Sequence, residues 1–174
     1  MSRTKAYILA GCLGLALTAQ AGAQTQEALK KNNITRTEDV KDWKLVCGTP
    51  ANNPTAPERC NLVQIISAEE TGQRVLRVEV ARGPQAILIA FTAPLGIFLP
   101  KGMEISVDGG PTSAFAVEIC QPQGCSAALK LEGELLSKMK KGTKATLTIY
   151  DPRLKPLAIP VSLSGFTKGI SKVK

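Results

Sequence analysis

From Trp43 onward the apolar positions recur every second residue, the period of a strand with one buried face. Leu76, Val78 and Val80 alternate with Arg77 and Glu79, and Met103, Ile105 and Val107 alternate with Glu104 and Ser106 before the turn cluster Asp108-Gly109-Gly110-Pro111. Phe115, Val117 and Ile119 share one face, as do Ala145, Leu147 and Ile149, and again Leu157, Ile159, Val161 and Leu163. Ala86 to Phe91 is apolar on both faces, which predicts a central strand. Two segments switch to helical spacing. Leu135, Leu136 and Met139, with Lys138, Lys140 and Lys141 opposite and Gly142 as a stop, predict a helix over 134–141, and Phe166, Ile170 and Val173 repeat the spacing at the C-terminus. About nine strands with turn signals between them predict a mainly β protein: an antiparallel β-sandwich or flattened barrel with one or two short helices near the C-terminus.

The first residues break this pattern. Arg3 and Lys5 precede an apolar run from Ala6 to Leu17, and Ala21-Gly22-Ala23 follows as a small-x-small site, so residues 1–23 read as a secretory signal cleaved after Ala23. The run is shorter than the roughly 20 apolar residues of a membrane span, and no later segment reaches that length. Leu9-Ala10-Gly11-Cys12 resembles a lipobox, and lipidation at Cys12 is the alternative; the apolar stretch continuing past Cys12 favours cleavage after Ala23. Residues 24–41 are polar, with no sustained apolar period, and read as a mobile leader or one loose helix. Residues 42–174 form a single β domain.

Four cysteines follow the signal, and in an exported chain they read as two disulfides. Cys47 ends one predicted strand and Cys60 begins the next, with the Gly-, Pro- and Asn-rich GTPANNPTAPER between them. Cys120 and Cys125 flank the turn Gln121-Pro122-Gln123-Gly124 in the same way. Each pair therefore faces itself across the base of a hairpin, within disulfide reach. The Cys120–Cys125 spacing is not Cys-x-x-Cys and no helix start follows Cys120, so a staple is favoured over a redox pair. Trp43, two residues before Leu45, is expected in the core.

Taken in order, several segments carry a resemblance. Trp43-Lys44-Leu45-Val46-Cys47, a second cysteine before Asn61-Leu62-Val63-Gln64, and Pro94-Leu95-Gly96-Ile97 come first. Val107-Asp108-Gly109, Cys120 with Gly124-Cys125, and Val161-Ser162-Leu163-Ser164-Gly165-Phe166 complete the set. The chain resembles the invasion-associated locus B family of small exported Gram-negative bacterial proteins from about Trp43 to Phe166. The resemblance implies an exported, disulfide-bonded, mostly β protein of the periplasm or outer cell envelope. It brings no catalytic residue and no cofactor.

Composition narrows the chemistry. The chain contains no histidine, which removes Ser-His-Asp and Cys-His catalysis and imidazole metal sites. Aromatics are 4%, too few for a base-stacking nucleic-acid surface. Glu69-Glu70 reads as a solvated hairpin tip, Glu132 with Glu134 and Asp39 with Asp42 are carboxylates close only in sequence, and Asp108 reads as an acid stabilising its own turn. Ser162 and Ser164 lie outside any Gly-x-Ser-x-Gly elbow, leaving a Ser–Lys dyad with Lys168 as the one serine arrangement to test. No metal loop or phosphate loop is present.

Charge is the uneven feature. Residues 138–174 carry nine basic side chains (Lys138, Lys140, Lys141, Lys144, Arg153, Lys155, Lys168, Lys172 and Lys174) against Asp151 alone, whereas residues 24–137 hold 11 basic and 13 acidic ones. A block of one sign is a solvated face or an anion-facing patch, and Lys138, Lys141, Lys168 and Lys172 are the candidates for binding lipid phosphate or lipopolysaccharide. The favoured function is a non-enzymatic envelope protein that binds another envelope protein, a host protein or an anionic surface. The alternative is a periplasmic hydrolase using carboxylate, serine or lysine.

Overall fold

The computed structural model describes residues 33–174; the signal segment, Cys12 and residues 24–32 of the polar leader lie outside the described residues. Eleven strands form two antiparallel sheets. The larger is built from β1 (Asn33–Val40), β2 (Trp43–Thr49), β3 (Arg59–Ser67), β4 (Arg74–Arg82), β5 (Ile87–Ala93), β9 (Gly124–Lys130) and β8 (Ile119–Gln121), in that spatial order. The smaller runs β11 (Pro156–Ser162), β10 (Lys144–Tyr150), β6 (Met103–Val107) and β7 (Ser113–Phe115). The sheets remain separate, so the fold is a sandwich and not a closed barrel.

Alternation dictates the core. Trp43, Leu45 and Cys47 of β2, Cys60 and Leu62 of β3, Leu76, Val78 and Val80 of β4, and Ile89 and Phe91 of β5 are buried on one face of the larger sheet. Met103, Ile105, Val107, Ala145, Leu147, Ile159 and Val161 answer them from the smaller one, in a single cluster. Helix α1 (Gly133–Lys141) adds Met139, and α2 (Phe166–Ile170) adds Phe166 and Ile170, with the Phe166 ring centroid 5.5 Å from that of Trp43. Two disulfides join Cys47 to Cys60 and Cys120 to Cys125, each across directly paired residues of neighbouring strands. β5, apolar on both faces, is an interior strand between β4 and β9. Pro156 and Pro160 sit on β11, an edge strand, where a missing N–H is tolerated.

Two features depart from the expectations. Part of the segment expected as a mobile leader or loose helix, 24–41, is strand β1, paired with β2 through a two-residue turn in which Lys41 takes φ 56°. The β domain thus begins by Asn33 and not at 42. β1 carries no apolar stripe because its inward position opposite Leu45 is Glu38, ion-paired to Lys172 of the C-terminal segment. Second, Phe115, Val117 and Ile119 do not lie on one strand. β7 belongs to the smaller sheet and β8 to the larger, so residues 116–118 cross between sheets. Phe115 is drawn to Phe91, ring centroids 5.6 Å apart, while Glu118 N–H donates to Ser126 C=O (2.9 Å).

Candidate functional site

Where the start of β2, the middle of β3 and the end of β11 meet, a polar seam joins the sheets. Alternation along β3 places Gln64 on the same face as Cys60 and Leu62, so an amide enters the core. Its Nε2 donates to Asp42 C=O (3.0 Å) and Ser162 C=O (3.1 Å), and its Oε1 accepts from Ser162 N–H (3.0 Å). Trp43 Nε1 donates to the same Ser162 carbonyl (2.9 Å). Ser162 Oγ donates to Asp42 Oδ2 (2.5 Å) and accepts from Ser164 N–H (3.2 Å). Among the described residues no buried side-chain polar atom lacks a partner. Beside the seam lies a shallow groove of about 540 Å³ lined by Asp42, Gln64, Thr143, Lys144 and Ser162 among others.

This geometry bears on the hydrolase candidates. Ser162 is held by a carboxylate, and among the described residues no hydrogen bond joins Lys168 to Ser162 or Ser164. Asp39 and Asp42 line one groove of about 340 Å³, but each is engaged there, Asp42 by the Ser162 hydroxyl and Asp39 by Lys44 (2.9 Å). Glu134 pairs with Lys138 (2.7 Å), which holds its carboxyl below the usual range, and Glu69 and Glu70 are exposed in the β3–β4 turn. Asp108, expected to stabilise its own turn, directs its side-chain hydrogen bonds across to Thr143 and Lys144. Its carboxylate accepts from Lys144 N–H (2.9 Å), Thr143 Oγ1 (2.9 Å) and Thr143 N–H (3.1 Å), bonds that depress its pKa and latch the β6 turn to the start of β10. Glu58 lies near Cys47 and Cys60, but those sulfurs are joined to each other and are not free thiolates for a metal.

The C-terminal cations separate into groups. Helix α1 packs against α2, where Thr167 Oγ1 donates to Lys140 C=O (2.8 Å), so the elements that carry Lys138, Lys140, Lys141 and Lys168 are neighbours. Lys138 is drawn down by Glu134, an i, i+4 pair, and Lys172 by Glu38, whose carboxyl is lowered first by that bond and further by the charges of Lys172, Lys168 and Arg36. Lys140, Lys141 and Lys168 are exposed and make no ion pair among the described residues. Lys174 turns away to Glu58 (3.3 Å). Arg153 and Lys155 lie past the far end of β10, a seven-residue strand about 20 Å long. The nine cations are therefore not one patch.

Fold and site define a mainly β sandwich stapled by two hairpin disulfides, with one apolar core cluster and no helix, among the described residues, long and apolar enough to cross a membrane. The Invasion associated locus B (IalB) family model matches residues 43–174, and the chain belongs to that family. The Invasion protein B homologs of Brucella abortus strain 2308 and of Brucella abortus biovar 1 strain 9-941 are each 30% identical over 173 residues, covering 93% of this chain and 94% of the relative. The crystal structure of invasion associated protein B from Bartonella henselae superposes with a TM-score of 0.68 over 79% of this chain and 93% of that one, at 20% identity, and shows a shared fold. Membership of this family together with two disulfides points to an exported protein.

Proposed function

We propose that this protein is a non-enzymatic binding module of the periplasm or outer cell envelope, and that it meets phosphate-bearing surfaces (anionic lipid or lipopolysaccharide) through the α1–α2 side. One observation carries the reading: Lys140, Lys141 and Lys168 stand exposed and unpaired on two packed helices, while the polar groups of the nearby seam are engaged by one another. Each lysine near an anionic bilayer contributes about 1 kcal/mol within a Debye length of about 8 Å. Three give about 3 kcal/mol, an encounter of several millimolar that biases location without anchoring.

The test is sedimentation of the protein, recovered after export, with phosphatidylglycerol-containing vesicles at low and high salt. Wild type is expected to pellet more completely at low salt than at high salt. Lys140→Glu, Lys141→Glu and Lys168→Glu combined are expected to reduce the salt-sensitive fraction. A salt-sensitive fraction that the three reversals leave undiminished overturns the assignment of this surface.

A further inference from the structure

Seven large hydrophobic side chains remain exposed among the described residues, and four of them are leucines of two neighbouring connections: Leu95 and Leu99 between β5 and β6, Leu154 in the β10–β11 turn and Leu157 just after it at the start of β11. The loops are tied together where Phe98 N–H donates to Tyr150 C=O (2.8 Å), and the Lys101 ammonium lies 5.2 Å from the Tyr150 ring centroid. Pro94-Leu95-Gly96-Ile97, a segment of the family resemblance that the α1–α2 surface leaves unexplained, supplies one of the leucines, with Ile97 packed against the core as its anchor.

The turn carrying Leu154 is built to present it. Asp151 Oδ1 accepts from Arg153 N–H and Lys155 N–H (2.8 Å each), Asp151 N–H donates to Lys155 C=O (3.0 Å), and Leu154 N–H donates to Asp151 C=O (2.9 Å). Leu154 sits at φ 64°, where glycine or asparagine is the ordinary choice, and its side chain is 55% exposed. A leucine there satisfies neither turn chemistry nor core packing, and strain held by so many bonds points to a use outside the fold. Its flanking residues are Arg153 and Lys155, and Lys101 follows Leu99 by two. The nearby acids are engaged: Asp151 by its own turn, Glu104 by the Tyr150 hydroxyl (2.9 Å).

We propose that these two loops form an insertion surface for an anionic bilayer, in which Leu95, Leu99, Leu154 and Leu157 enter the boundary between headgroups and acyl chains while Lys101, Arg153 and Lys155 meet lipid phosphate. Exposed leucines with cations of long apolar stem beside them in the sequence are the chemistry of a membrane interface. A protein partner is less suited, because its hot spots favour aromatic anchors in a pocket and this surface offers aliphatic tips on loops. The surface is distinct from the α1–α2 lysines, being at the other end of β10, and it binds mainly by apolar burial, which salt does not screen.

The experiment uses the exported protein with vesicles of phosphatidylcholine alone or mixed with phosphatidylglycerol. Leu99→Trp is expected to shift its emission to the blue with vesicles, further with the mixed ones, against the constant signal of buried Trp43. Leu99→Ser combined with Leu154→Gly is expected to weaken partitioning about tenfold at both low and high salt, with thermal stability kept because glycine suits the turn. Tryptophan emission unmoved in vesicle-bound protein, or partitioning equal to wild type in the double variant, overturns the proposal. So does a concentration-dependent dimer that the double variant abolishes, which would assign the leucines to a second copy of the chain. The triple lysine reversal separates the two surfaces. Loss there alone leaves the α1–α2 reading and removes this one; loss in the leucine variant alone does the reverse.

Discussion

Gln64 carries three hydrogen bonds to groups that share the core boundary with it, and it is the one polar side chain buried among the described residues. Replacing it by leucine keeps the volume and orphans Ser162 N–H, whose partner lies 98 residues away in the chain. Each buried group left without a partner costs about 1–3 kcal/mol, so Gln64→Leu is expected to lose about 2–4 kcal/mol in urea unfolding with little change in slope. A loss under 1 kcal/mol would mean that water replaces the amide. The polar intrusion was visible in the sequence as a glutamine on the Cys60–Leu62 face; its partners were not, since only the tertiary fold brings β11 to β3. Asp108 teaches the same lesson. The turn was legible from Asp-Gly-Gly-Pro, but every side-chain hydrogen bond of Asp108 among the described residues goes to Thr143 or Lys144. Those bonds lower its folded pKa, so their stabilisation is complete above the ordinary carboxylate range near pH 4 and fades as acid protonates the folded state. Asp108→Asn is therefore expected to be less stable than wild type at neutral pH, with the two curves converging below about pH 3–4. A stability gap that stays constant down through that range would show that the carboxylate charge is not what the bonds need.

Among the elements, the strands with one apolar face were readable and those without were not. β1 escaped notice because an ion pair, Glu38 with Lys172, replaces the hydrophobic stripe, and the cation comes from the opposite end of the chain. β7 and β8 looked like one strand because the alternation of Phe115, Val117 and Ile119 continues straight across the crossing point. The disulfides were readable because each closes a local hairpin. In the chain-entropy model, loops of these sizes give about 3 kcal/mol for Cys47–Cys60 and about 2 kcal/mol for Cys120–Cys125. Paired alanine substitutions are expected to rank in that order by denaturant midpoint, the first pair losing more because Cys47 and Cys60 are both buried. Equal losses would imply that the larger loop is already compact when unfolded. Gly165 starts α2 at φ 91°, with Val40 C=O 2.0 Å from where a Cβ would stand. Gly165→Ala is expected to cost about 2 kcal/mol or more by lifting α2 from the sheet. The expected sign is loss of the shielding of Trp43, seen as iodide quenching of an emission that is protected in wild type.

At the scale of the molecule, the cationic run from Lys138 to Lys174 is a property of the sequence that the fold divides. Some of its charges are met by acids distant in sequence, Glu38 and Glu58, some gather on α1 and α2, and Arg153 and Lys155 are carried to the far end of β10. Net charge along a chain measures self-repulsion and solubility; only the folded arrangement decides which cations can face one plane together. That arrangement depends on pairings such as β6 with β10 and β5 with β9, which join strands far apart in sequence. Neither face periodicity nor turn chemistry specifies such partners, so the sandwich class was legible and the cation map was not.

The cystines themselves respect sequence order: the first cysteine of the β domain joins the second, and the third joins the fourth. A chain entering an oxidising compartment N-terminus first meets each correct partner before the next cysteine arrives. Such an order is expected to let the chain mature with an oxidant and without a shuffling catalyst. Reduced, unfolded protein given a simple oxidant is expected to regain both native pairs with a yield that an added disulfide isomerase does not raise, and a strong isomerase requirement would show that folding runs ahead of oxidation.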